Sequence, residues 1–120
     1  MSARRTSSPM RGSWNGILYD SSWELALIVY CHDHGIELTR NSHRFPYVYG
    51  KRIEYYQPDF ILEDGTYIEV KGVKDRRSIA KMRQFPYPLK MWTKTDMKKY
   101  LDYMDAKYGK DWRAKFSSMT

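Results

Sequence analysis

The stretch FILEDGTYIEVKG, Phe60 to Gly72, constrains the fold more than any other part of the chain. Two β-favouring runs flank Glu63-Asp64-Gly65, and an Asp-Gly step between such runs is a strong hairpin signal. Loop length decides which side chains share a face. A two-residue Asp64-Gly65 loop pairs Glu63 with Thr66, so Asp59 faces Val70 and lies on the opposite side from Glu69. A three-residue loop pairs Leu62 with Thr66, gives Gly65 the left-handed position, and sets Asp59 opposite Glu69. The longer loop also turns Phe60, Leu62, Ile68 and Val70 to the core together, so the burial pattern selects it.

In that register Asp59, Glu69 and Lys71 line one face at one end of the hairpin. Bare carboxylates opposite one another repel. A hard divalent cation removes the penalty, and carboxylate oxygens are its preferred ligands. A lysine two residues on can stabilise an anion or position water. Together these are the parts needed for metal-dependent hydrolysis of a phosphodiester. The plain alternative is a solvated strand face with a cross-strand ion pair.

The rest of the chain supplies a setting for the hairpin. SSWELALIVYCHDHG reads as a helix capped by Ser21 or Ser22 and closed by Gly35, and its centre, Leu25 to Tyr30, is apolar nearly all round and therefore buried. IELTRN is a short strand. FPYVYGKRIEYYQPDF is either a strand pair turning at Gly50-Lys51 or one bent, extended strand. Asp75 to Phe85 is a basic helix stopped by Pro86 and Pro88, LKMWT is a strand, and Thr95 or Asp96 caps a last helix with Met97, Leu101, Met104 and Tyr108 on one face. The order predicts an α/β (α+β) fold with a small mixed β-sheet flanked by helices. A flexible basic arm is expected over residues 1–16, one domain over 17–115 and a tail over 116–120.

Charge is distributed unevenly. Residues 1–70 hold 7 basic and 9 acidic side chains, and residues 71–120 hold 14 and 5. A basic C-terminal half predicts a polyanionic partner, nucleic acid first. Lys74, Arg76, Arg77, Lys81 and Arg83 follow the hairpin at helical spacing and are expected to contact phosphates. No stretch has the roughly 20 apolar residues of a membrane span, and the opening residues lack the apolar core of a secretion signal. With one cysteine, Cys31, no intrachain disulfide forms, and a cytoplasmic location is expected. His32 and His34 beside Cys31 have no second ligand pair for zinc and read as surface residues. His43, in a loop before the hairpin, reads as exposed. Glu24 has two readings: a metal-site acid, or the acid of a capping box bonding back to the Ser21 backbone.

Pro58-Asp59-Phe60 followed by Glu69-Val70-Lys71 resembles the PD-(D/E)XK nuclease signature. From about Gly16 to Thr93 the chain most resembles the junction-resolving endonuclease I family of T-odd phages: a helix with an early Glu, then HGIEL, FPYVYG, YQPDFILEDGTYIEVKG, a basic helix and a strand. The resemblance implies a restriction-endonuclease-like core and a Mg²⁺-dependent DNA endonuclease leaving 5′-phosphates, with Mn²⁺ substituting. It implies Asp59, Glu69, Glu24 and the Val70 carbonyl as metal ligands and Lys71 as the catalytic lysine. It also implies a homodimer cutting four-way or branched DNA. Restriction, homing and repair enzymes share such cores, so a sequence-specific nuclease and a DNA-binding module without catalysis stay open. A turn at Gly50-Lys51 would permit a compact protomer, where that phage family bridges swapped subunits with an extended segment.

Overall fold

The computed structural model describes residues 10–70 and 74–117. In chain order the elements are β1 (Gly12–Trp14), β2 (Ile17–Tyr19), α1 (Ser22–Asp33), β3 (Leu38–Arg40), β4 (Phe45–Tyr49), β5 (Arg52–Tyr56), β6 (Phe60–Leu62), β7 (Tyr67–Val70), α2 (Arg76–Gln84), β8 (Leu89–Trp92), α3 (Lys94–Tyr108) and α4 (Trp112–Ser117). The fold class is α/β, with both parallel and antiparallel strand pairs in the main sheet. Across the stretch expected as one domain, 17–115, the chain forms two compact units. One takes the residues up to Glu37 and those from Lys94 onward, and the other is Leu38–Thr93.

The first unit begins earlier than expected. Gly12 to Gly16, assigned to a flexible arm by sequence, belong to an antiparallel hairpin in which Trp14 pairs with Ile17. Its turn residues Asn15 and Gly16 have φ of 53° and 79°, the two positive angles of a type I′ turn. Residues 1–9 of the expected arm lie outside the described residues. Trp14 anchors the hairpin, meeting His32 edge to face at 5.0 Å and Phe116 at 6.0 Å. Phe116 is buried in α4, so the expected tail over 116–120 starts inside a helix.

Helix α1 is capped by Ser21, whose Oγ accepts the Glu24 N–H at 3.2 Å. Leu25, Ala26, Leu27, Ile28 and Val29 are each at most 1% exposed, as an all-round apolar helix requires. Burying each of the larger side chains stabilises by roughly 1.5–3 kcal/mol. Gly35, at φ 69°, closes the helix, after which the Ile36 N–H reaches back to the Cys31 carbonyl at 2.8 Å. Helix α3 buries Met97, Tyr100, Leu101 and Met104 and starts at Lys94, one residue before the expected caps. Asp33 joins α1 to α3: its Oδ2 accepts the Tyr103 and Tyr108 hydroxyls at 2.5 and 2.6 Å, with Lys107 Nζ at 3.4 Å. Burial alone would raise the Asp33 pKa. The hydrogen bonds from Tyr103 and Tyr108, with Lys107, outweigh it and hold the carboxyl below its ordinary value.

The second unit contains a four-stranded sheet in the order β3-β6-β7-β8 and a separate β4–β5 hairpin. Strands β3, β6 and β7 pair antiparallel, and α2 carries the chain over to β8, which lies parallel to β7. The expected FPYVYG segment is a strand pair, with Tyr49 opposite Arg52 and Gly50 at φ 64° in the turn. Phe60, Ile68 and Val70 are buried together as their alternation demands, and Leu62 is half-buried. Among the described residues no helix is long and apolar enough to cross a membrane.

Candidate active site

The β6–β7 turn adopts the three-residue form. Leu62 N–H donates to the Thr66 carbonyl at 2.8 Å and Gly65 N–H to the Leu62 carbonyl at 2.9 Å, with Gly65 at φ 88°. Asp64 Oδ1 accepts the Thr66 N–H at 2.9 Å and stiffens the turn. Phe60 then faces Ile68 and Ile61 faces Tyr67.

One residue further the ladder departs from the expected pairing of Asp59 with Glu69. The Asp59 N–H donates to the Ile68 carbonyl at 3.0 Å, although Ile68 is the partner of Phe60. Asp59 and Phe60 thus share one partner, the two-against-one count of a β-bulge, which re-aims a side chain. The Asp59 carboxylate turns along β7, where its Oδ2 accepts the Val70 N–H at 2.8 Å. In an extended strand a residue's N–H and C=O face the same edge, so the Val70 carbonyl faces the edge where Asp59 sits.

Glu69 lies half-buried on the opposite side of β7 from Ile68. Its Oε1 accepts the Tyr56 hydroxyl at 3.0 Å. Burial, then the Glu69 charge and hydrogen bond, then the Asp59 charge push the Tyr56 phenol well above its ordinary pKa. Tyr56 therefore stays a donor to Glu69.

Asn41, only 3% exposed, holds the bulge from behind. Its N–H donates to the Asp59 carbonyl at 2.9 Å, its Nδ2 to the Pro58 carbonyl at 2.9 Å and to the His43 carbonyl at 2.9 Å, and its Oδ1 accepts the His43 N–H at 3.0 Å. Its own carbonyl accepts Gln57 Nε2 at 3.1 Å. Sequence reasoning singled out neither Asn41 nor Tyr56. Tyr56 had one usable signal, its place three residues before Asp59 in a strand. Asn41 had none.

The other expected site residues fall as follows. Lys71, directly after β7, lies outside the described residues. Glu24, in the first unit, is 7% exposed, and its Oε1 accepts the Asp20 N–H at 2.8 Å. The reciprocal capping bond thus reaches one residue earlier than the expected Ser21. Of the basic residues, Lys74, Arg76, Arg77 and Arg83 are exposed. Arg77 pairs with Glu54 and lies over the Tyr49 ring at 4.5 Å. Lys81 sits over the Tyr56 ring at 4.9 Å. His32 accompanies Asn15 at 3.0 Å, His34 Nδ1 meets the Tyr30 carbonyl at 2.7 Å, and His43 packs edge-on against Phe45 at 5.0 Å.

Among the described residues no three or more His, Cys, Asp or Glu side chains converge as a metal-binding group. The donor set at the hairpin end is two carboxylates and a main-chain carbonyl. All are hard oxygen donors, which suits Mg²⁺: it keeps several waters and needs only one or two carboxylates from a protein. Comparison with protein-family models, with curated proteins and with solved structures finds no match.

Proposed function

We propose that this chain is a Mg²⁺-dependent DNA endonuclease of the PD-(D/E)XK kind, selective for branched DNA. The observation that supports it most is the pair of carboxylates at the open end of the β6–β7 hairpin. Asp59 is anchored on the Val70 N–H and Glu69 on the Tyr56 hydroxyl, and the next residue in sequence after Val70 is a lysine. Each carboxylate has a defined donor fixing its direction, the arrangement a ligand pair needs before the ion arrives.

Asp59, Glu69 and the Val70 carbonyl would hold the metal. When bound, Mg²⁺ lowers the pKa of water and screens charge on the phosphate. Lys71 orients the attacking water and offsets the charge that builds on the phosphoryl oxygens. The exposed Lys74, Arg76 and Arg83 give the backbone of a nucleic acid a place to lie. Preference for branched DNA rests on the likeness of HGIEL, FPYVYG and YQPDFILEDGTYIEVKG to the junction-resolving family.

The test is purified full chain with Mg²⁺ on a four-way junction and on linear duplexes of unrelated sequence, beside Asp59→Asn and Glu69→Gln. The expected result is cleavage of the junction whatever its sequence, lost in chelator and in both variants, with junction binding retained. Cutting of one linear sequence only would replace the branched substrate by a site-specific one. Binding without cleavage in any divalent metal would make the chain a DNA-binding module. Wild-type cutting by Asp59→Asn would remove the hairpin as the active site.

A further inference from the structure

We infer that Tyr56 is a positioning residue that prepares Glu69 for metal, an inference that rests on reading Asp59 and Glu69 as the ligand pair. Tyr56 ends β5 and is 5% exposed. Its ring is wedged: Lys81 Nζ lies over one face at 4.9 Å and the Phe85 ring meets it at 5.9 Å. A buried ring with only two side-chain torsions, fixed by its neighbours, carries its hydroxyl to a defined point. Glu69 is the opposite case, with three torsions and only half burial. The 3.0 Å bond from the Tyr56 hydroxyl to Glu69 Oε1 therefore joins a rigid donor to a flexible acceptor. It narrows the carboxylate's rotation and with it the directions open to its second oxygen.

Two opposing effects follow from removing the hydroxyl. Lost orientation weakens metal binding, and partners of this kind are typically worth 10–100-fold in metal affinity. Against it, the hydroxyl also shields two neighbouring carboxylates while no cation is present, and taking it away makes the empty site less comfortable and binding tighter. Asp59 has its own donor in the Val70 N–H, so its shielding does not depend on Tyr56. Orientation is the larger effect.

Tyr56→Phe keeps the ring, its burial and its contact with Lys81, and deletes only the donor. Mn²⁺ binding to the full chain without DNA, followed by the electron paramagnetic resonance of free Mn²⁺, is the direct measurement, with thermal unfolding of each variant alongside. The expected result is about tenfold weaker Mn²⁺ binding in Tyr56→Phe, and a matching rise in the Mg²⁺ concentration needed for half-maximal cleavage. In a Glu69→Gln background the same change should add nothing further, because Tyr56 acts through Glu69. Unchanged affinity in Tyr56→Phe, with binding abolished by Asp59→Asn, overturns the role of Tyr56 and leaves the metal site standing. Tighter binding overturns it too, reducing the hydroxyl to a shield. Mn²⁺ binding indifferent to Asp59→Asn and Glu69→Gln overturns the site and the Tyr56 role together.

Discussion

At the scale of single residues, the direction of each acidic group is set by a donor that sequence spacing alone does not reveal. Glu24 shows this most sharply, because its two readings make different demands on the same carboxylate. In the first unit its Oε1 accepts the Asp20 N–H, and Gln offers an acceptor oxygen of the same reach. Glu24→Gln should therefore leave the unfolding midpoint nearly unchanged, whereas Glu24→Ala should cost about 0.5–2 kcal/mol, as the loss of a helix-start hydrogen bond does. If Glu24 is a metal-site acid, Glu24→Gln stops cleavage at that unchanged stability. If it only closes the helix start, cleavage continues at the wild-type rate. The three-residue turn and the joint burial of Phe60, Ile68 and Val70 were legible because turn chemistry and burial alternation both operate within one short stretch of chain. The bulge at Asp59 was not, because it depends on Asn41, which reaches the Pro58 and Asp59 backbone from a distant part of the sequence. Nothing in the pattern around Asn41 separates a buried clamp from an ordinary loop asparagine.

At the scale of elements, the basic helix divides its charges. Sequence spacing groups Lys74, Arg76, Arg77, Lys81 and Arg83 as one phosphate-binding face, but periodicity does not report partners from other strands. Arg77 is committed to Glu54 and the Tyr49 ring, and Lys81 to the Tyr56 ring. Gln84 is tied in turn to the edge of β4, accepting the Val48 N–H at 2.7 Å and donating to its carbonyl at 2.8 Å. These ties make α2 a scaffold on one side; Arg77 is as exposed as Lys74, Arg76 and Arg83 but already faces Glu54. Replacing those three by Ala together should weaken binding to all DNA sequences alike and reduce the log–log salt slope by up to ~2.7, at ~0.9 for each phosphate no longer neutralised. Replacing Arg77 by Ala should cost only a little stability, since Glu54 loses the nearer of two guanidinium partners and keeps Arg52 at 3.9 Å, and the slope should hardly move. A slope untouched by the triple change would show that these charges only face solvent. The elements themselves were mostly readable, since caps, glycines and prolines mark their ends. The β1–β2 hairpin escaped because its strands are three residues each and carry no visible alternation, although Asn15-Gly16 announces the turn.

At the scale of the whole molecule, cutting two strands of one junction in a coordinated way needs two active sites at a fixed separation, and one chain supplies one β6–β7 candidate site. A symmetric homodimer follows from the proposed function. Two apolar stretches could form its interface, the first helix and the Tyr-rich Phe45–Tyr56 segment. The first has no apolar side chain to spare, because Leu25 to Val29 are already buried within the chain. The second has an exposed apolar face. Val48 and Ile53 are cross-strand partners at 54% and 68% exposure, and Tyr55, opposite Pro46, is 62% exposed. The Gln84 amide occupies the Val48 backbone edge, so strand addition at β4 is blocked, and the exposed apolar face is the surface through which two copies would meet. Each protomer pairs β4 with its own β5 through Gly50, and exchange of the segment is not required. A stable dimer buries about 800 Å² per partner, more than three side chains supply, so the surface around the hairpin must join in. Sedimentation at micromolar concentration should give a dimer for the full chain and a monomer for Val48→Glu combined with Ile53→Glu. The charged variant should still nick a junction on one strand but lose paired cuts within a single binding event. A monomeric wild type, alone and on junction DNA, that cuts one linear sequence would remove the need for two sites and with it the branched substrate.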